Sequence, residues 1–264
     1  MARKYEKTYL LLIIALASLL QTLVLYVMPI SISNDSYGYL SLASNLTSDS
    51  VAFERSIGYP LLLALAGVQY FDTLVLIVYI QCLMAIFMPV MIFYAVRPLG
   101  FFYSTLASLI MLSFLFAFHM ANQILTELPY MFSLSLFALA CSRYFHNRNY
   151  SNVFFVVLSL IFLASIRMSS DVQFIGFVLG SLVLLFTDYF LNGEIKKRAL
   201  VSLLIGVAVF SSAHVANNML WDINASTATP HYMWNWVYKK GSSIQYGIVH
   251  PDNGPVSLEL FQTL

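Results

Sequence analysis

Stretches of about 18 or more residues with scarcely a charge recur along this 264-residue chain, and each is long enough to cross a hydrocarbon core of roughly 30 Å as a helix. Only 9% of the residues are charged, where a soluble domain carries about 25%, so the chain lacks the polar surface that would coat a water-soluble globule. The expected fold is therefore all-α: a polytopic helical membrane protein of about seven spans, over 9–30, 73–96, 101–119, 127–145, 151–167, 172–191 and 199–220. Residues 1–220 read as one transmembrane module with an amphipathic first loop at 31–72. Residues 221–264 read as a tail whose Trp221, Trp234, Trp236 and Tyr238 suit a water–lipid boundary. The first apolar run follows Arg3, Lys4 and Lys7, but it is longer than a secretion-signal core and has no small-x-small cleavage site, so it reads as a span that stays.

Orientation follows from the basic residues. With the N-terminus in the cytoplasm, the inside segments hold Arg3, Lys4, Lys7, Arg97, Arg143, Arg148, Lys196, Lys197 and Arg198, nine of the 13. The outside segments hold only Arg55, Arg167, Lys239 and Lys240. Nine of the 12 acids, Asp35, Glu54 and Glu127 among them, fall outside. The expected location is the cell inner or plasma membrane, with the ionisable chemistry on the outer face. Net charge is +1, which gives no electrostatic case for nucleic acid. Cys82 and Cys141 sit inside apolar runs without metal spacing and read as packing residues.

The first outer loop is the most informative stretch. Ser33 or Asn34 can cap a helix on which Tyr39, Leu42, Ala43 and Leu46 form an apolar stripe. Asp35, four residues before Tyr39, lies on the same face. It is either a first-turn acid complementing the helix dipole or a carboxylate aimed at a site. Downstream, Arg55-Ser56-Ile57-Gly58-Tyr59-Pro60-Leu61-Leu62-Leu63 turns the chain into an apolar helix, with Gly58 expected to free the turn and Pro60 to sit in the first helical turn. Arg55 is either a phosphate ligand or an interfacial anchor. Thr126-Glu127-Leu128-Pro129 opens the fourth span, where Thr126 can cap and Glu127 can favour the positive helix end, or Glu127 can face the same side as Asp35. His119, Asn122 and Gln123 lie in the loop just before, and His119 reads as a surface residue. Arg167 leaves the fifth span at headgroup depth, either paired locally with Asp171 or sharing a phosphate with Arg55. Lys239 and Lys240 read as lipid-phosphate contacts or as bland anchors. Asn45-Leu46-Thr47 and Asn224-Ala225-Ser226 match the glycosylation pattern, for which chance is the default.

An acid soon after the first span, an R-x-x-G-Y-P-L-L-L turn and a T-E-L-P span opening together resemble the GT-C glycosyltransferases, in the branch that includes protein mannosyltransferases and lipid A aminoarabinose transferases. The likeness covers roughly residues 5–220 in layout, and its motifs span short stretches. It implies a membrane glycosyltransferase working on the outer or lumenal face. The implied donor is a polyprenyl-phosphate sugar. Asp35 is implied as catalytic base, supported by Glu127, with Arg55, Tyr59, Arg167, Tyr39 and Lys239 as candidate substrate contacts. No cofactor is expected; a divalent metal is possible through Asp35 and Glu127, but no ligand cluster in the sequence points to one. Such enzymes usually continue with further spans and an external domain, so a fragment or a non-catalytic subunit needing a partner is the rival expectation. A transporter or flippase is a further one, against which stands the lack of internal repeats.

Overall fold

A computed structural model of the chain describes residues 2–44, 56–68, 74–147 and 149–167, with isolated positions between 178 and 211. The described residues are helical apart from short connections and one isolated bridge, Ser31 to Gln123. The helices are α1 (Ala2–Val27), α2 (Asn34–Ser44), α3 (Gly58–Leu65), α4 (Leu74–Val96), α5 (Phe101–Ser113), α6 (Leu115–Met120), α7 (Glu127–His146) and α8 (Tyr150–Ile166). Two stretches, Tyr5–Val27 and Leu74–Leu99, are helical, long and apolar enough to cross a membrane. The first, second, fourth and fifth expected spans correspond to α1, α4, α7 and α8. The third, 101–119, is two helices, because the chain breaks at Phe114 (φ −80°, ψ 72°). Neither Gly nor Pro causes that break. The Ser113 hydroxyl donates to the carbonyl of Ile110 and the Phe114 amide to that of Met111, so two carbonyls at the end of α5 are satisfied locally. The sixth and seventh expected spans, apart from isolated positions, and the tail 221–264 lie outside the described residues.

Sequence periodicity explains how the helices meet. On α1, Tyr9, Ile13, Ala17 and Gln21 recur every four residues and form the packed stripe; Ile13 and Ala17 are buried, while Leu11, Leu12, Leu16, Leu19 and Leu23 face outward. Helix α4 is the central element, packed against α1, α5 and α7. Small buried side chains at Ala17, Ala85, Ser104, Ser108 and Ser133 let backbones approach closely, the usual device where helices pack without water to expel. Gly58 plays the same part. A Cβ there would lie 2.5 Å from Ser165 Oγ and 2.6 Å from the Ser165 carbonyl group, so glycine is required by the contact of α3 with α8. This corrects the expectation that Gly58 serves a turn; the left-handed conformation belongs instead to Gly67 (φ 73°) and Gly100 (φ 121°).

Helix α1 runs antiparallel to α4 while α4 and α7 run in parallel, and the bundle has two chemically distinct ends. At one, Arg97 on the short turn after α4 pairs with Glu6 on α1 at 3.0 Å and stacks over Phe101. Tyr9 packs against Phe93 and Phe101 and shares a hydrogen bond with Ser108. The Ser142 hydroxyl near the end of α7 donates to the carbonyl of Ala95, which brings Arg143 and His146 to this basic end. At the other end lie the close of α1, the starts of α4 and α7, and the close of α8.

Candidate functional site

The second end is built by a pairing of backbone. Ser31 donates its amide to Asn122 O at 3.0 Å and accepts from the Ile124 amide at 3.4 Å, which makes a parallel bridge between Ser31 and Gln123. Both chains then run the same way into a helix. Four residues past Ser31 is Asp35, in the first turn of α2; four residues past Gln123 is Glu127, the first residue of α7. Two acid-bearing helix starts are thus neighbours, with matched offsets from one bridge.

Local chemistry fixes each start. At α2, Ser33 and Ser36 cap reciprocally: the Ser33 amide donates to Ser36 Oγ at 2.9 Å and the Ser36 amide to Ser33 Oγ at 3.4 Å. Asp35 is partly buried, on the flank of the face that buries Leu42 and Ala43. At α7, Thr126 makes no side-chain cap, contrary to the sequence expectation. Its hydroxyl lies 3.4 Å from that of Tyr39, so it joins α7 to α2 across the bridge. Pro129 occupies the first turn of α7, as expected.

Tyr39 also meets Tyr59 edge to face, with ring centroids 5.2 Å apart. Tyr59 is wholly buried and donates its hydroxyl to Gln81 Oε1 at 2.8 Å. Burial first, then Tyr39, then the Glu127 carboxylate hold the Tyr59 pKa well above the ordinary tyrosine value. Tyr59 therefore stays a neutral donor at physiological pH.

Arg167 closes the cluster. Its guanidinium lies 3.8 Å from Glu127 Oε1 and 5.5 Å from the centre of the Tyr130 ring. At that separation the carboxylate contact is an ion pair without a hydrogen bond. Glu127 Oε2 is buried and has no hydrogen-bond partner among the described residues. The sequence leaves Arg167 either a local pair with Asp171 or a phosphate shared with Arg55. Asp171, Arg55 and Lys239 all lie outside the described residues, and the structure pairs Arg167 with Glu127, 40 positions away. His119, expected at the surface, is half-buried; Nε2 lies 3.0 Å from Gln123 Nε2, and Nδ1 is buried without a partner among the described residues.

Two buried amides, Gln21 and Gln81, have no place in the sequence reading of the site, and Asn122 figures there only as a loop residue. Gln21 donates to Asn122 Oδ1 at 3.4 Å. Asn122 donates to the carbonyls of Met28 at 2.9 Å and Val24 at 3.4 Å. Gln81 donates to the carbonyls of Ala121 and Gln123. The available signal was a glutamine inside each of the first two apolar runs, since a polar side chain in such a run turns toward the bundle interior. Comparison of the chain with protein-family models, with curated proteins and with solved structures found no match.

Proposed function

We propose that this chain is a seven-span membrane glycosyltransferase, with a cytoplasmic N-terminus, that transfers a sugar from a polyprenyl-phosphate donor to an acceptor on the outer or lumenal face. The observation that carries the reading is the bridge of Ser31 with Gln123, because it sets the starts of the helices bearing Asp35 and Glu127 side by side. The end of the bundle opposite Arg97 and Arg143 is the outer one in this reading, consistent with basic residues staying inside. Its layout also resembles that of the lipid-donor enzymes.

The chemistry asks little of the protein. The leaving group is already a phosphate ester, so its departure needs positive charge more than a strong acid, and arginine supplies that charge at any physiological pH. Asp35 takes the proton from the acceptor hydroxyl or amine. The acceptor atom bonds to the anomeric carbon from the face opposite the phosphate, the carbon–oxygen bond to phosphate breaks, and the electron pair leaves with the polyprenyl phosphate. Configuration inverts. Arg167, joined by Arg55 in this proposal, meets the phosphate, while Glu127 holds Arg167 in place and shapes the field around Asp35.

Asp35→Asn keeps the shape and removes the proton acceptor. Lipid-linked sugar transfer should fall by about 10²–10⁴, the usual contribution of a general base, with donor binding intact. Glu127→Gln should cost less. Wild-type transfer by Asp35→Asn would overturn the assignment, and no transfer by the wild-type chain with any lipid-linked donor would overturn the activity.

A further inference from the structure

Gln81 is a fully buried amide whose hydrogen bonds all reach the chain around the two acids. It lies two turns into α4. Its Nε2 donates to the carbonyl of Ala121 at 2.9 Å and to that of Gln123 at 2.8 Å, and its Oε1 accepts from the Tyr59 hydroxyl at 2.8 Å. Both carbonyls belong to the non-helical segment between α6 and α7 that leads into Glu127. The same segment is held from its other side by Ser31, four residues before Asp35. The Tyr59 ring in turn abuts Tyr39, one turn along the helix of Asp35.

We infer that Gln81 is a positioning residue that fixes the two acid-bearing helix starts relative to each other, through the 121–126 segment on one side and through Tyr59 and Tyr39 on the other. Only a side chain of this length with two donors and one acceptor satisfies all three bonds. Leucine satisfies none, and glutamate keeps the acceptor while losing both donors. The catalytic consequence rests on the glycosyltransferase reading; the geometric one does not.

The test reads the two separately. In the full chain in membranes, with Cys82→Ala and Cys141→Ala, the bridged pair is converted to Ser31→Cys and Gln123→Cys; backbones paired by a bridge run about 4.8 Å apart, within the range a disulfide spans. Oxidation should cross-link the protein that retains Gln81. Adding Gln81→Leu should slow cross-linking by about tenfold, from loss of the two hydrogen bonds to the 121–126 segment, and Gln81→Glu, which loses the same two, should slow it similarly. Should the leucine variant fail to fold, the glutamate variant, which preserves shape, is read in its place. In the protein with its own cysteines, kcat for sugar transfer should drop by up to about 100-fold for a displacement of about 1 Å, with donor KM unchanged. A residue that merely filled the core would lower the yield of folded protein and leave kcat per folded molecule unaltered. Unchanged cross-linking overturns the inference whatever the activity. Slowed cross-linking with no transfer by the wild-type chain supports the inference and removes the glycosyltransferase reading instead.

Discussion

Gly58 shows how one missing methyl group holds two helices together. The Cβ of Gly58→Ala would meet the backbone of Ser165 at 2.6 Å, and backbone cannot swing aside as a side-chain tip can. The substitution should destabilise the bundle by about 1–3 kcal/mol, the usual cost of overpacking, seen as a lower unfolding temperature in detergent. Ser165→Ala should not rescue it, because the clash with the carbonyl group persists. At the same scale, the sequence shows which residues carry charge between the apolar runs but not whom they meet. Arg167 and Glu127 are 40 positions apart, and their pairing depends on α7 and α8 closing against each other. Thr126 had the right identity for a cap, yet its hydroxyl lies by Tyr39, a tertiary contact that no local rule encodes.

Among the elements, α2 is where local and long-range information agree. The sequence offers Ser33 or Asn34 as the cap; the structure uses Ser33 and adds Ser36, which the sequence reading does not single out, so that both amides are satisfied. Ser36→Ala removes one half of the reciprocal cap, worth about 0.5–2 kcal/mol. Hydrogen exchange in the first turn of α2 should accelerate accordingly, while α7 stays protected; unchanged exchange at Tyr37–Leu40 would show that the bridge at Ser31 alone orders the turn. The long helices were legible for a simpler reason: an apolar run bounded by charges leaves little choice of element or boundary. The third span misled because it is apolar from end to end. The break at Phe114 depends on a serine hydroxyl reaching a carbonyl, which leaves no mark on hydropathy.

At the largest scale, the bundle of described helices has two unlike ends. One end holds Glu6, Arg97, Arg143 and His146, and the other gathers Asp35, Glu127, Arg167 and the buried tyrosine–amide network. That segregation was visible in the sequence as a partition of charge among segments. The side-by-side placement of the helix starts that bear Asp35 and Glu127 was not, because it follows from a single backbone bridge between segments some 90 residues apart. The central claim, that both acid-bearing helix starts face the outer side of a membrane, is tested most directly by sided labelling of single cysteines in a cysteine-free chain. Tyr37→Cys on α2 is at an exposed position, Glu127→Cys at a partly exposed one and Asn147→Cys at an exposed one. In intact cells a membrane-impermeant maleimide should label Tyr37→Cys and Glu127→Cys, and should reach Asn147→Cys only after permeabilisation. Labelling of Asn147→Cys from outside with Tyr37→Cys protected would invert the bundle, and labelling of Tyr37→Cys and Glu127→Cys from opposite sides would contradict the shared site altogether.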